Sequence, residues 1–114
     1  MRYLVTGSQM RAIDQDTIQN IGIPSLVLME RAAECVARKA EQLCDQKTLQ
    51  ILAICGVGNN GADGVAAARM LYLHGFDVLV VVVGNEAHAT KEFEVQKRIA
   101  EKLEIPVVDW EHFL

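Results

Sequence analysis

The sequence has no Cys-x-x-Cys pair, no bilayer-length apolar run, no excess of basic charge and no Gly-Lys-Ser/Thr phosphate loop. Each absence excludes something. The longest apolar run, Val78 to Val83, falls far short of the roughly 20 residues that a membrane-spanning helix needs, so no membrane partner is expected. The net charge is −4 with the two signs interspersed. Nucleic acid demands a basic face and is therefore not an expected partner. Cys35, Cys44 and Cys55 leave an odd thiol whatever the pairing. All three sit in apolar segments, and small buried thiols in a reduced, cytoplasmic compartment are expected. Met1 to Gly7 carries one basic residue and no long apolar core, so no signal peptide is expected there. No repeat, low-complexity tract or linker divides the 114 residues, which suit a single domain.

What is present begins with two helical patterns. Ser8 is positioned to cap a helix from Gln9 to about Asn20, with Met10, Ile13 and Thr17 on one side. Gly22-Ile23-Pro24 interrupts the pattern, and a second helix is predicted from Ser25 to about Cys44. Leu28, Ala32, Val36, Ala40 and Leu43 give it one apolar stripe, read as core or subunit contact. Two helices before any strand suggest an N-terminal extension laid across a sheet.

From Leu49 the period changes. Leu49 to Cys55 is short, almost wholly apolar and closed by glycine, which predicts a buried strand. A loop from Gly56 to Gly61, a helix from Ala62 to His74 and a left-handed Gly75 follow. Val78 to Val83 reads as a second strand, Thr90 to Leu103 as an amphipathic helix and Pro106 to Val108 as a third strand. This alternation is that of an α/β fold, a parallel sheet with helices on both faces. Right-handed crossovers set the three strands side by side with the first at one end. That placement leaves the first strand, apolar on both faces like an interior strand, at an edge with no charge or proline to blunt it. Together with the aromatics of Trp110 to Leu114, it creates the expectation that the domain continues past residue 114.

Gly56 to Gly64, the string Gly-Val-Gly-Asn-Asn-Gly-Ala-Asp-Gly, is the segment dense enough in special residues to carry chemistry. It lies between strand and helix, where open parallel sheets bind ligands. Gly56 and Gly58 permit a tight turn and close ligand approach. Gly61 and Gly64, with Ala66, Ala67 and Ala68, let the helix lie close to the sheet. The first helical N–H groups then face the ligand. Gly56-x-Gly58-x-x-Gly61, with Glu86 placed to hold a ribose hydroxyl, fits a dinucleotide motif. Asn59, Asn60 and Asp63 favour a different ligand. Amides and a carboxylate suit hydroxyl groups, or a cation held by oxygens, whereas Asp63 repels a phosphate. A purely structural turn and cap is the remaining alternative.

Gly58-Asn59-Asn60-Gly61-Ala62-Asp63-Gly64, followed by Val65 to Leu71, resembles the Gly-Asn-Asn-Gly-Gly-Asp-Gly loop of the NAD(P)HX epimerase domain, the YjeF N-terminal domain. Met10-x-x-Ile13-Asp14, Gly22-Ile23-Pro24 and Leu28 to Ala33 are similar to that family's opening helices. The likeness covers nearly all of the chain and about the first half of the family's domain, so residues 1–114 are read as its N-terminal part. It implies a Rossmann-like three-layer αβα sandwich that interconverts the R and S epimers of hydrated NADH and NADPH. This is a metabolite repair that feeds a dehydratase domain or partner. It further implies substrate contacts at Asn59, Asn60, Gly61, Ala62 and Asp63, a potassium ligand at Asn60, and a homodimer. The catalytic residues and the remaining potassium ligands of the family fall beyond Leu114. Ala62 and Ala33 stand where the family has glycine. A methyl group would thus enter the cradle at Ala62, at about 1 kcal/mol or more if that position needs positive φ. A fragment of this kind is expected to bind nucleotide weakly without competent catalysis.

Other residues carry less. His74 reads as a helix end, and His88 and His112 as surface without a metal-ligand partner. Cys55 has no basic neighbour to lower its pKa and reads as packing. Asp14 and Glu30 read as solvated helix charges. Two further classes remain open: an NAD-dependent Rossmann oxidoreductase domain, and a non-catalytic nucleotide-binding or assembly module docking through the opening helices and bare first strand.

Overall fold

A computed structural model describes residues 6–44 and 47–114. Most of the segment read for a signal peptide, Met1 to Val5, lies outside the described residues. Helix α1 spans Gly7–Asp16 and runs on through a wider π-type turn, Thr17–Ile21. Its cap is Thr6, not Ser8: Thr6 Oγ1 accepts the Gln9 N–H at 3.1 Å, and Gln9 Oε1 accepts the Thr6 N–H at 2.8 Å. The reciprocal pair satisfies two otherwise unpartnered donors, which a lone serine hydroxyl two residues later cannot match.

Helix α2, Ser25–Leu43, has the expected extent, but its buried stripe is Met29, Ala33 and Ala37. The period is as read and the phase is one residue off. Leu28 and Ala40 are half-buried, while Ala32, Val36 and Leu43 face outward. The reason is the partner. Helix α2 packs chiefly against the alanine-rich α3 (Asn59–Leu73) rather than across the sheet, and small residues allow that approach.

Strands β1 (Gln50–Cys55), β2 (Asp77–Val82) and β3 (Val107–Asp109) form a parallel sheet in the order β1-β2-β3. The register pairs Ala53 with Val80 and Val80 with Val107 on one face. On the opposite face it pairs Ile54 with Val81 and Val81 with Val108. Helix α3 joins β1 to β2, and α4 (Lys91–Lys102), capped by Thr90, joins β2 to β3. Gly75, at φ +95°, ends α3 as expected.

The core lies between one sheet face and the helices. Met29, Ala33 and Ala37 from α2, Ala62, Val65 to Ala68 and Leu71 from α3, Phe93 and Ala100 from α4, and Val78, Val80 and Val82 from β2 belong to one cluster. Helices α2, α3 and α4 therefore share a single side. The α/β class, the parallel sheet and the preceding helices are as read, whereas the third layer is represented among the described residues by the short α5, Trp110–Phe113. The cause is handedness: two right-handed crossovers that advance in the same direction must put both helices on the same face. On the other face Val81 is covered, but Leu52 and Ile54 are 43% and 60% exposed. No described helix is long and apolar enough to cross a membrane.

Candidate functional site

The strand-to-helix corner is tighter than a six-residue loop. Strand β1 ends at Cys55 and α3 begins at Asn59, so only Gly56, Val57 and Gly58 turn the chain. Gly58 is the cap residue, with extended backbone, and its carbonyl accepts the Ala62 N–H at 2.9 Å. No side chain caps this helix start. Its first-turn N–H groups accordingly point outward from the end of the sheet with the positive end of the helix dipole behind them.

Glycine is required where the corner closes. A Cβ on Gly61 would lie 1.8 Å from the Gly56 carbonyl oxygen and 2.5 Å from its carbon, both backbone atoms. Gly64 sits over Cys55, whose Sγ would be 2.9 Å from an added Cβ. By contrast, a Cβ on Gly56 or Gly58 would meet nothing within 4 Å. The inner glycines thus press helix on strand, and the outer two leave open space beside the backbone. The Val83 N–H donates to the Cys55 carbonyl at 2.8 Å and the Thr90 N–H to the Val57 carbonyl at 3.0 Å. These bonds tie the corner to the turn after β2.

Asn59 and Asn60 are exposed, and Asp63 is half-buried. At 100° per residue, Asp63 projects between Asn59 and Asn60 from the next turn, so the three polar side chains share one side of the helix start. Burial holds the Asp63 carboxyl above its ordinary pKa, and the charge of Asp14 on α1 adds to the rise. Asp14, read as a solvated helix charge, therefore acts at the corner. Gly61 is buried and Ala62 is 0% exposed within the core. The Ala62 methyl does not enter the cradle as expected. It lies under the helix in helical backbone, and Glu104 is the positive-φ non-glycine residue of the described chain. Gly61 can meet a ligand only through its first-turn N–H, and Ala62, whose N–H donates to the Gly58 carbonyl, presents no surface to one.

The remaining candidates lie elsewhere. Glu86 is drawn to Lys97, 2.6 Å away. His74 Nδ1 lies 3.0 Å from Glu41 Oε1, and His112 Nδ1 lies 2.6 Å from Asp109 Oδ1. Burial pushes the Cys55 thiol up to about 11, as packing demands, whereas Cys35 is exposed, against the reading of three buried thiols. Glu30, also read as solvated, pairs with Arg69 Nη2 and joins α2 to α3. An open hollow of about 300 Å³ between these helices is lined by Glu30, Glu34, Arg38, Glu41 and His74. Two of its lining charges, Glu41 and His74, pair with each other, and Glu30 is engaged by Arg69. Among the described residues no group of three or more His, Cys, Asp and Glu side chains could hold a metal.

The family model described as "YjeF-related protein N-terminus" matches residues 25–113, the corner included. The chain belongs to this family. Curated relatives named NAD(P)H-hydrate epimerase are similar along most of it. The protein of Limosilactobacillus fermentum is 48% identical over 103 residues, covering 90% of this chain and 49% of the relative. That of Lentilactobacillus buchneri is 42% identical over 111 residues, covering 95% and 50%. This chain thus spans about half the length of the curated relatives it matches. The crystal structure of yeast ynu0 (YNL200c) superposes with a TM-score of 0.81 at 24% identity over 96% of this chain and 49% of that one. At that identity the likeness establishes the fold alone.

Proposed function

We propose that this chain supplies a substrate-binding wall of an enzyme that interconverts the R and S epimers of hydrated NADH and NADPH. One observation carries the reading. Asn59, Asn60 and Asp63 share one side of an uncapped helix start beside two glycines with open space, in a chain whose relatives bear the epimerase name.

Hydration of a nicotinamide ring adds a hydroxyl group, which both donates and accepts hydrogen bonds. Asparagine amides offer both functions. The Asp63 carboxylate adds an acceptor for a hydroxyl hydrogen beside them. Gly61 contributes a first-turn N–H, and Ala62, fully buried, supports the turn from beneath. A potassium ion fits the donor set in kind: Asn60 presents an amide oxygen, and hard cations prefer oxygen ligands. When bound it supplies local positive charge beside the nucleotide, with Asn60 as this chain's ligand. The S epimer is then available to a dehydratase, and a homodimer is the proposed assembly.

An oxidoreductase reading is less well supported. Glu86, its ribose ligand, is engaged by Lys97, and the Asp63 carboxylate opposes a pyrophosphate at the helix start. The test is a titration of purified protein with hydrated NADPH and, separately, with unmodified NADPH and NAD, in potassium and in sodium chloride. Preference for the hydrated form, weakened by Asn60→Ala and by sodium, is expected. Tighter binding of unmodified NAD would overturn the proposal.

A further inference from the structure

The turn after β2 carries charged groups that the corner does not use. Gly84 lies against the corner, since a Cβ there would be 3.6 Å from Val57 Cγ2, and the Thr90 N–H donates to the Val57 carbonyl. Between these two ties the chain makes a short 3₁₀ turn, Glu86–His88. Asn85 Oδ1 accepts the Ala87 N–H at 2.9 Å, and the Glu86 carbonyl accepts the Ala89 N–H at 3.1 Å. Glu86 therefore stands on an ordered backbone two residues beyond the contact with the corner. Its Oε1 lies 2.6 Å from Lys97 Nζ on α4, and both side chains reach solvent.

The pair opens onto a hollow of about 380 Å³ along the flank of α4, lined also by Glu94, Arg98 and Glu101. Such a volume suits a small ligand or one end of a larger one. The charges decide which. Three carboxylates face two cations. Lys97 is taken by Glu86, and Arg98 stands between Glu94 and Glu101, its surface neighbours four residues before and three after. Among the residues that line the hollow no cation is left over for a phosphate, which would meet a surplus of like charge. A pair of hydroxyl groups fits better. Each hydroxyl both donates and accepts, and a carboxylate held beside an ammonium group answers both functions.

We infer that Glu86 and Lys97 hold the adenosine ribose diol of the hydrated nucleotide and make this chain select hydrated NADH over hydrated NADPH. The inference rests on the proposed function for its ligand and adds the discrimination between the two forms. They differ in the phosphate that hydrated NADPH carries on the 2′ oxygen of that ribose. With the nicotinamide end at the first turn of α3, the chain of the nucleotide passes Gly84 along the carboxyl ends of β1 and β2 to reach the hollow. Lys97 engages one oxygen of Glu86 and leaves Oε2 to accept the 2′ hydroxyl hydrogen. A 2′ phosphate brings negative charge to the same oxygen and has no hydrogen to give it. Lys97 is thus a positioning residue and Glu86 the group that discriminates.

The test compares hydrated NADH with hydrated NADPH by calorimetry, and ADP-ribose with its 2′-phosphate, both of which lack the nicotinamide ring. In each comparison the form with a free 2′ hydroxyl is expected to bind about tenfold or more tighter. ADP-ribose should shift the amide resonances of Asn85–Ala89. Glu86→Gln keeps an acceptor and removes the charge, so it should bring the ratio to about threefold or less, whereas Glu86→Asp should retain the preference. A merely structural Glu86 would weaken both forms together and leave the ratio unmoved. Equal affinities, tighter binding of the 2′-phosphates, or a ratio indifferent to Glu86→Gln would overturn the inference, as would ADP-ribose shifts away from Asn85–Ala89. Hydrated nucleotides that shift the corner without discrimination would overturn it and leave the proposed function standing. Discrimination between the ADP-riboses, with no preference for hydrated over unmodified nucleotide, would sink the proposed function and leave the ribose site intact. Absence of all binding would overturn both.

Discussion

Gly61→Ala should unfold the corner before it alters any ligand contact. The new methyl carbon would start 1.8 Å from the Gly56 carbonyl oxygen, so the turn must open by about 1.2 Å to reach even a 3.0 Å contact. Neither partner is a side chain that can rotate away. Overpacking generally costs about 1–3 kcal/mol, and a rigid backbone contact belongs at or beyond the top of that range. Alanine's better helix propensity returns about 1 kcal/mol. A net loss of about 2 kcal/mol or more follows. For a domain of this size it corresponds to a fall in Tm of about 10 °C. Thermal and urea denaturation followed by circular dichroism measure it. Gly64→Ala should lose less, since Cys55 Sγ is a side-chain atom with some room to move. Gly58→Ala, with nothing within 4 Å, should be near neutral in stability while weakening ligand binding. Equal stability of Gly61→Ala and the parent protein would refute the close-approach geometry.

Asp63→Asn should raise stability at neutral pH and weaken binding of hydrated nucleotide. The folded state raises the Asp63 pKa, so ionisation opposes folding as pH rises past the ordinary carboxylate range. A denaturation series against pH checks the sign, and a destabilised Asp63→Asn would contradict it. Cys55, with its thiol pushed from 9.0 up to about 11, should leave stability flat below pH 9 and lower it from there towards 11. At pH 8 a maleimide should label exposed Cys35 in the folded protein and spare Cys55, and equal rates at the two sites would show the burial to be wrong. Glu30→Ala strands the Arg69 guanidinium, whose side chain is 16% exposed and whose Nε already lacks a partner. A loss of about 1–2 kcal/mol by urea denaturation is expected, between the exposed and fully buried limits for ion pairs.

The order of elements was legible because periodicity and punctuation agreed. Apolar runs marked β1 and β2, Gly75 marked the end of α3, and Thr90 stood at the start of α4. The helix boundary at Asn59 was hidden by asparagine and glycine, which sequence reading assigns to loops and which here form a first turn. The phase of α2 was hidden because Leu28, Val36 and Leu43 are the larger apolar residues, whereas contact with α3 selects the small Ala33 and Ala37. Thr6 was overlooked as a cap because its signature is completed by Gln9, three residues on. The polar residues of the corner could be named from the sequence. The burial of Ala62 could not, because it depends on which side of the helix meets the sheet. The influence of Asp14 on Asp63 depends on where α1 comes to rest, and local pattern carries no record of that.

The central claim is that a hydrated nicotinamide nucleotide sits against the first turn of α3. Backbone amide resonances recorded during a titration with hydrated NADPH in potassium chloride test it most directly. The account predicts shifts concentrated at Gly56 to Gly64 and in the adjoining turn at Gly84 and Asn85, lost in Asn60→Ala. Shifts centred instead on Glu34, Arg38 and His74, in the hollow between α2 and α3, with the corner unmoved, would contradict it.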